Sequence, residues 1–476
     1  MRAVRAAAVL LVLGGFYYWS YRVFLGSFFA FDDFAWMNDA ARIHIGSPAD
    51  LWQFFETSNF LLYRPATMLY FYLLQHTFGF DPAGYQAAQL AFHVANAVLV
   101  YAIAGRLLGS RWLGLATALA YATAPGHALA VRWISVFTMT GTTFFYLLGL
   151  WTWLAAPSTW RTAATLALVA IALLAGEHAV TFPIVLTLLL LLIGEPGTRA
   201  RDLWPFYALG GLYLGAKLYY VRVVLPERAG AGQAAFGYGL SFSPLDVLGN
   251  LGRYFGYTVD VAFHVARAGS GAIAIGVLLV VAAALGTGLV LGGRWTARPL
   301  RVAVFGLDTF IVGLGPPLFL ANHLYSYYVG IAAFGMALAL VGFASAVRAA
   351  PLLAPALVVA LLVAVHTVWT KSAVKHDAEF VDIETLSIVS QRWLYALDRA
   401  TADGGVDEVV VPHNAVTGRM FGQAHRLLMC ASYRVITAPD VARIEPAPGR
   451  VVVSGLPPLP ESAGVPAWRR LLRPCP

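Results

Sequence analysis

Charge is what this sequence has least of. Only 12% of its 476 residues are Asp, Glu, Lys or Arg, roughly half the share in a soluble domain. Lysine is nearly missing: Lys217, Lys371 and Lys375 stand against 29 Arg. Cysteine is scarce as well. Cys430 and Cys475 have no metal-ligand spacing, which argues against a Cys-built zinc or iron–sulfur site; both lie near the C-terminus, where a disulfide would form only in an oxidising compartment. No basic cluster interleaved with aromatics is present, so nothing offers a nucleic-acid surface. Nor is there an internal repeat. What remains is apolar: 59% hydrophobic residues, with 13 Trp, 22 Tyr and 29 Phe. So few charges cannot screen that much apolar surface from water. A soluble enzyme, a disordered tail and a collagen- or coiled-coil-like fibre are excluded.

The apolar residues come in blocks. A hydrocarbon core of roughly 30 Å needs about 20 apolar residues of helix, and blocks of that kind fall at 6–26, 85–105, 112–130, 134–156, 162–176, 179–194, 203–224, 271–293, 302–320, 326–347 and 351–370. The expectation is an all-α polytopic membrane protein with about eleven transmembrane helices. The first block ends in Gly26-Ser27-Phe28-Phe29-Ala30 without a small-x-small cleavage site, so an uncleaved anchor is expected. Arg2, Arg5, Arg106, Arg111, Arg161, Arg199, Arg201, Arg294, Arg298, Arg301 and Arg348 all fall on one side of this arrangement, with only Glu195 and Asp202 beside them. The positive-inside rule then puts the N-terminus in the cytoplasm and the C-terminus outside.

The opposite face carries two long loops, 27–84 and 225–270, parts of which alternate apolar and polar residues as interfacial helices do. Residues 1–370 read as the transmembrane domain. Residues 371–476 read as a small extracytoplasmic α/β accessory domain: a helical run from Glu379 to Ala400, strand-like Asp407–Val411, a helical run near Met420–Met429, then Tyr433–Ile436 and Arg450–Val453.

Among the residues that can carry chemistry, Phe31-Asp32-Asp33-Phe34 is the sharpest feature. Adjacent carboxylates hemmed by aromatics raise each other's pKa, and one can act as a base while the other orients a substrate. An interfacial helix N-cap is the plainer role for such an Asp. Arg64, before Pro65, can clamp a phosphate bidentately or serve as a snorkelling anchor. Glu177 and His178 sit at an outer hairpin tip, where an acid among apolar residues is seldom idle. Lys217 and Arg222 fall in the outer half of the seventh block, and a cation there calls for an anion. His93 and Asn96 suit an interhelical hydrogen bond. Acids and cations gathered at one membrane face suit a reaction between a lipid-phosphate-linked donor and an outside acceptor. The alternatives are a transporter or flippase of a lipid-linked or anionic substrate, and a non-catalytic membrane scaffold.

Several stretches resemble a known family. Phe31-Asp32-Asp33-Phe34, Tyr63-Arg64-Pro65-Ala66-Thr67, Phe78-Gly79-Phe80-Asp81-Pro82-Ala83-Gly84-Tyr85 and His93-Val94-Ala95-Asn96-Ala97 are similar to the N-terminal third of GT-C glycosyltransferases, and most to protein O-mannosyltransferase-like members. Leu174–Pro183 resembles another family stretch, with Gly176 where a Lys commonly precedes the Glu. Asn322–Tyr328 resembles a third, without the Arg that precedes its tyrosines. The resemblance covers roughly residues 1–345. It implies a GT-C-like fold in the bacterial inner (plasma) membrane and an inverting transferase. The donor would be a polyprenyl-phosphate-linked sugar; the acceptor would be a hydroxyl of a protein, lipid or glycan. It implies Asp32 as base, with Asp33 and Glu177 as further catalytic candidates. It implies that Arg64 would meet the lipid phosphate; beside it, Lys217 or Arg222 is expected to help, and His178, His323 and Tyr325 are expected to line the substrate cavity. No cofactor is required, although Asp32 and Asp33 could bind a divalent cation.

Overall fold

The computed structural model describes residues 2–454 except 26, 31, 57–62, 155–158, 195–198, 225–238, 260–268, 322, 348–349, 377, 403, 413–433, 442–443 and 445–446. Cys430, Cys475, Glu195, Asn322, Arg348 and the helical run expected near Met420–Met429 lie outside the described residues.

The chain runs α1 (Arg2–Tyr21), α2 (Asp32–Ala41), α3 (Gln53–Glu56), α4 (Pro65–Phe78), α5 (Pro82–Leu107), α6 (Arg111–Ala122), α7 (Gly126–Arg132), α8 (Phe137–Leu154), α9 (Thr159–Ala175) and α10 (Phe182–Leu188). There follow α11 (Trp204–Tyr219), α12 (Pro244–Thr258), α13 (Gly269–Leu291), α14 (Arg298–Leu314), α15 (Gly330–Ser345), α16 (Leu353–His376) and α17 (Ala378–Ala400), then strands β1 (Glu408–Pro412), β2 (Arg434–Ala438) and β3 (Arg450–Val452). Among the described residues four helical stretches are long and apolar enough to cross a membrane: Pro82–Leu107, Ile134–Leu154, Ser270–Leu291 and Ser326–Ser345. Shorter apolar helices cover Ala7–Tyr21, Trp160–Ala175, Glu177–Ile193 and Leu353–Val368. On that ground the chain is an integral membrane protein; the count of eleven remains an expectation.

Two blocks read as single spans are broken. The block at 112–130 divides into α6 and α7 at Thr123-Ala124-Pro125, because proline lacks the N–H that would continue the helix and disfavours helical geometry in the residue before it. The block at 302–320 ends at Leu314. Gly315 turns at φ +54° and Pro316-Pro317 follow, so the chain leaves the helix in a short 3-10 turn.

The fold has two compact units. The first comprises Met1–Val23, Gln89–Val131 and Val136–Ala373. Within it α14 packs on α15 at glycines: a side chain at Gly306 would strike the backbone of Ala339 and Gly335, the close approach that small residues allow in membranes. Arginine side chains cap helix ends in this unit. Arg298 Nε donates to the Leu107 carbonyl at 2.7 Å, and Arg301 Nε to the Leu192 carbonyl at 2.6 Å, which suits the negative end of a helix dipole. Asn250, buried on α12, donates to the carbonyls of Leu318 and Leu320 at 3.0 Å each, fixing the turn after α14.

The second unit comprises Phe24–Ala88, Arg132–Ser135 and Val374–Pro476. Here α2 packs on α4, and α3 on α4. Its sheet is three-stranded and wholly parallel, in the order β2-β1-β3, with Val410 facing Ile436 on one side and Val452 on the other. Val409, Val410 and Val411 are buried, as a central parallel strand requires, and Arg450 pairs with Glu408 across the sheet. The strands stand where the C-terminal α/β reading placed them. The first long loop, through 88, shares their unit.

Candidate functional site

In the second unit the segment before α2 is fixed by backbone donors. The N–H of Ala30 donates to Asp33 Oδ2 at 2.9 Å, and the N–H of Ser135 donates to Asp33 Oδ1 at 2.7 Å. Asp33 is only 1% exposed. Its neighbours Phe28, Phe29 and Phe34 form an aromatic cluster, and Phe29 meets Tyr85 edge to face at 5.2 Å. Burial pushes the Asp33 carboxyl up to about 7, despite the two N–H donors and the Arg132 guanidinium, which pull it down; the charge of Asp32 adds to the rise. At neutral pH Asp33 is therefore part protonated and part ionised.

The Phe28 carbonyl gathers donors as well. Buried Arg132 donates to it at 3.4 Å, and Ser387 Oγ of α17 at 3.0 Å. Gln86 Nε2 donates to the Ser27 carbonyl at 2.9 Å. Three separated stretches of chain, at Gln86, Arg132–Ser135 and Ser387, thus meet residues 27, 28 and 33, and Asp32, half-buried at the first position of α2, is the carboxylate left less enclosed. Farther along α2, Asp39 lies 3.7 Å from Arg42, and burial raises its carboxyl to about 6 against the pull of that guanidinium.

Arg64 stands at the N-terminal end of α4, before Pro65, and is 8% exposed. The first turn of α4 holds no acid. A guanidinium at the positive end of a helix dipole adds to that charge instead of balancing it, and the combination favours an anion. The second unit therefore holds Asp32, Asp33 and Arg64.

The other candidates belong to the first unit. Glu177 and His178 open a 3-10 turn, Glu177–Thr181, that packs on α8, α9, α11 and α14. Glu177 is half-buried and His178 buried. The His178 ring stacks on Tyr328 at 5.4 Å. Tyr328 in turn meets His323 at 6.3 Å and Tyr327 at 4.5 Å, while Tyr325 stacks on Tyr327 at 5.2 Å with only 14° between the planes. His178, His323 and Tyr325 thus belong to one aromatic group joined through Tyr327 and Tyr328. Tyr325 and Tyr327 are both half-exposed. Lys217 is half-buried on α11, whereas Arg222, on the π-helical turn after α11, is exposed among the described residues.

For a divalent cation, the donor set at Asp32 and Asp33 is already partly engaged. Both Asp33 oxygens already accept backbone N–H groups, and among the described residues no three His, Cys, Asp or Glu side chains gather as a metal site would need. No step is routed through one.

Arg132 was not among the residues marked in the sequence. Its one signal was position: an Arg in a very short gap on the acid-rich face, where the inner-loop pattern leaves it unexplained.

No family model matches the chain, and no curated relative does. Among solved structures the chain is similar to ArnT from Cupriavidus metallidurans, in a crystal structure bound to undecaprenyl phosphate and in one of the apo state. Each shares 15% identity with this chain, with TM-scores of 0.38 and 0.37, and the match covers 88% of this chain and 84% of the other.

Proposed function

We propose that this protein is an inverting glycosyltransferase that moves a sugar from a polyprenyl-phosphate-linked donor to an acceptor hydroxyl at the outer face of the membrane. The observation that carries this reading is the unequal pair: Asp33 buried and bonded to two backbone N–H groups, Asp32 beside it and less enclosed. An attacking hydroxyl must lose a proton, and Asp32 can accept it. The leaving group is a phosphate, and Arg64 at the head of α4 suits its negative charge. Displacement by one acceptor oxygen at the anomeric carbon breaks the bond to phosphate as the new glycosidic bond forms, inverting the configuration. Asp33 is a positioning residue here, holding the start of α2 through Ala30 and Ser135. The lipid class and the bacterial inner-membrane location follow from the GT-C resemblance.

The test is Asp32→Asn, which keeps size and hydrogen bonding and removes the proton acceptor. Donor binding should survive and transfer should not. Near-normal transfer in that variant would pass the role to Glu177. A transporter or flippase would instead use an ionisable group within the membrane. Asp308 of α14, accepting from Thr287 at 2.7 Å, is the acid that favours this second reading. If Asp308→Asn abolished lipid translocation while Asp32→Asn left it intact, the transferase reading would fail.

A further inference from the structure

An apolar groove runs between α6 and α16 in the first unit, with a cavity of about 510 Å³, within the size range of small-ligand pockets. Trp112, Ala116 and Leu119 line it from α6; Pro355, Val359 and Ala360 line it from α16. Leu352, which also lines it, is 53% exposed, so the groove opens on an apolar surface suited to lipid. The charge near it is of one sign. The Arg111 guanidinium lies 5.3 Å from the centre of the Trp112 ring, and Trp112 is itself 58% exposed. The last turn of α5 carries Arg106, and Arg298 donates to the Leu107 carbonyl at the end of that helix. No acid stands between Arg106 and Trp112. Tryptophan and arginine together mark the head-group level of a bilayer, and three guanidinium groups there favour an anionic head group over a zwitterionic one.

We propose that this groove is a binding site for one acyl tail of an anionic phospholipid, whose phosphate head group meets Arg111. The small side chains Ala116 and Ala360 leave the room, and packing contacts of the tail with the apolar walls add to the charge pairing at the head group. This site is independent of the transferase reading, because none of its residues belongs to the proposed catalytic group.

The test is native mass spectrometry of the full-length protein in detergent, titrated separately with dioleoyl phosphatidylglycerol and dioleoyl phosphatidylcholine. The expected result is one tightly retained phosphatidylglycerol and weaker retention of phosphatidylcholine. Arg111→Gln should lower phosphatidylglycerol retention about fivefold, as expected for one arginine near a charged head group, and leave phosphatidylcholine unchanged. Ala360→Trp should fill the groove and abolish the single retained lipid. Ala116→Trp does the same from the other wall if the first variant fails to fold. Equal retention of both lipids by wild type and Arg111→Gln would mean unspecific annular lipid and overturn the proposal. So would full retention in a folded Trp variant. A dimer mass that Ala360→Trp abolishes would assign the groove to a second copy of the chain and overturn it equally.

Discussion

The Asp33 carboxyl lends itself to a quantitative test that needs no substrate. Its carboxyl is raised by burial to about 7 in the folded protein, against roughly 4 in an unfolded chain. Between those values the folded state holds a proton that the unfolded state has released. Stability from this group is therefore fully present below about pH 4 and lost as pH rises toward 7, after which it levels off. At about 1.4 kcal/mol per unit, three units give about 4 kcal/mol in all, of which about 3 kcal/mol falls between pH 5 and pH 8. Asp33→Asn cannot ionise and should lack that slope. It also sets an NH₂ group against one of the N–H donors of Ala30 or Ser135, so its stability should be lower at pH 5, by about 1–3 kcal/mol for a buried donor left unmatched. Denaturant titration in detergent, followed through tryptophan fluorescence at several pH values, measures both. Asp39 and acids away from position 33 contribute equally to wild type and variant, so the difference between the two curves isolates Asp33 with its coupling to Asp32. Parallel curves from pH 5 to 8 would refute the assignment of a raised, buried carboxyl at this position.

Arg64→Ala should weaken donor use by roughly ten- to hundredfold, the loss of one charge-assisted contact of about 1.5–3 kcal/mol; unchanged KM and turnover would leave Arg64 an interface anchor. Alkaline phosphatase fused after Lys375 should be active in a bacterial host, and an inactive fusion there with an active one after Arg348 would reverse the orientation. Truncation after Lys375 removes α17 and with it the Ser387 bond to the Phe28 carbonyl. If the C-terminal region is accessory, slow donor hydrolysis by water should persist while transfer to acceptor falls. Loss of both in a folded truncation would make the region part of the reaction centre.

Composition and block length sufficed for the helical class, and local pattern sufficed for α5, α17 and the three strands. The breaks at Pro125 and at Gly315-Pro316-Pro317 are legible in principle, since proline's missing N–H is a local fact, but hydropathy averages over them because the flanking residues stay apolar. The Asp32–Asp33 pair stood out because adjacent acids among phenylalanines are costly. Their inequality did not, because it depends on Ser135, 102 residues away, and on Arg132. Likewise His178 and Tyr328 stack across 150 positions of sequence, a pairing that no periodicity encodes. Arg222 illustrates the reverse case: its position in the outer half of an apolar block suggested burial, and it is exposed on the π-helical turn that follows α11.

The most direct measurement follows lipid phosphate released from labelled polyprenyl-phosphate sugars. Purified protein would be incubated in detergent with a panel of such donors, alone and with extracts supplying hydroxyl acceptors. The account predicts that at least one donor releases its lipid phosphate, that the sugar appears on an acceptor with inverted configuration, and that Asp32→Asn abolishes both. Release that persists undiminished in Asp32→Asn, or transfer with retained configuration, would contradict it.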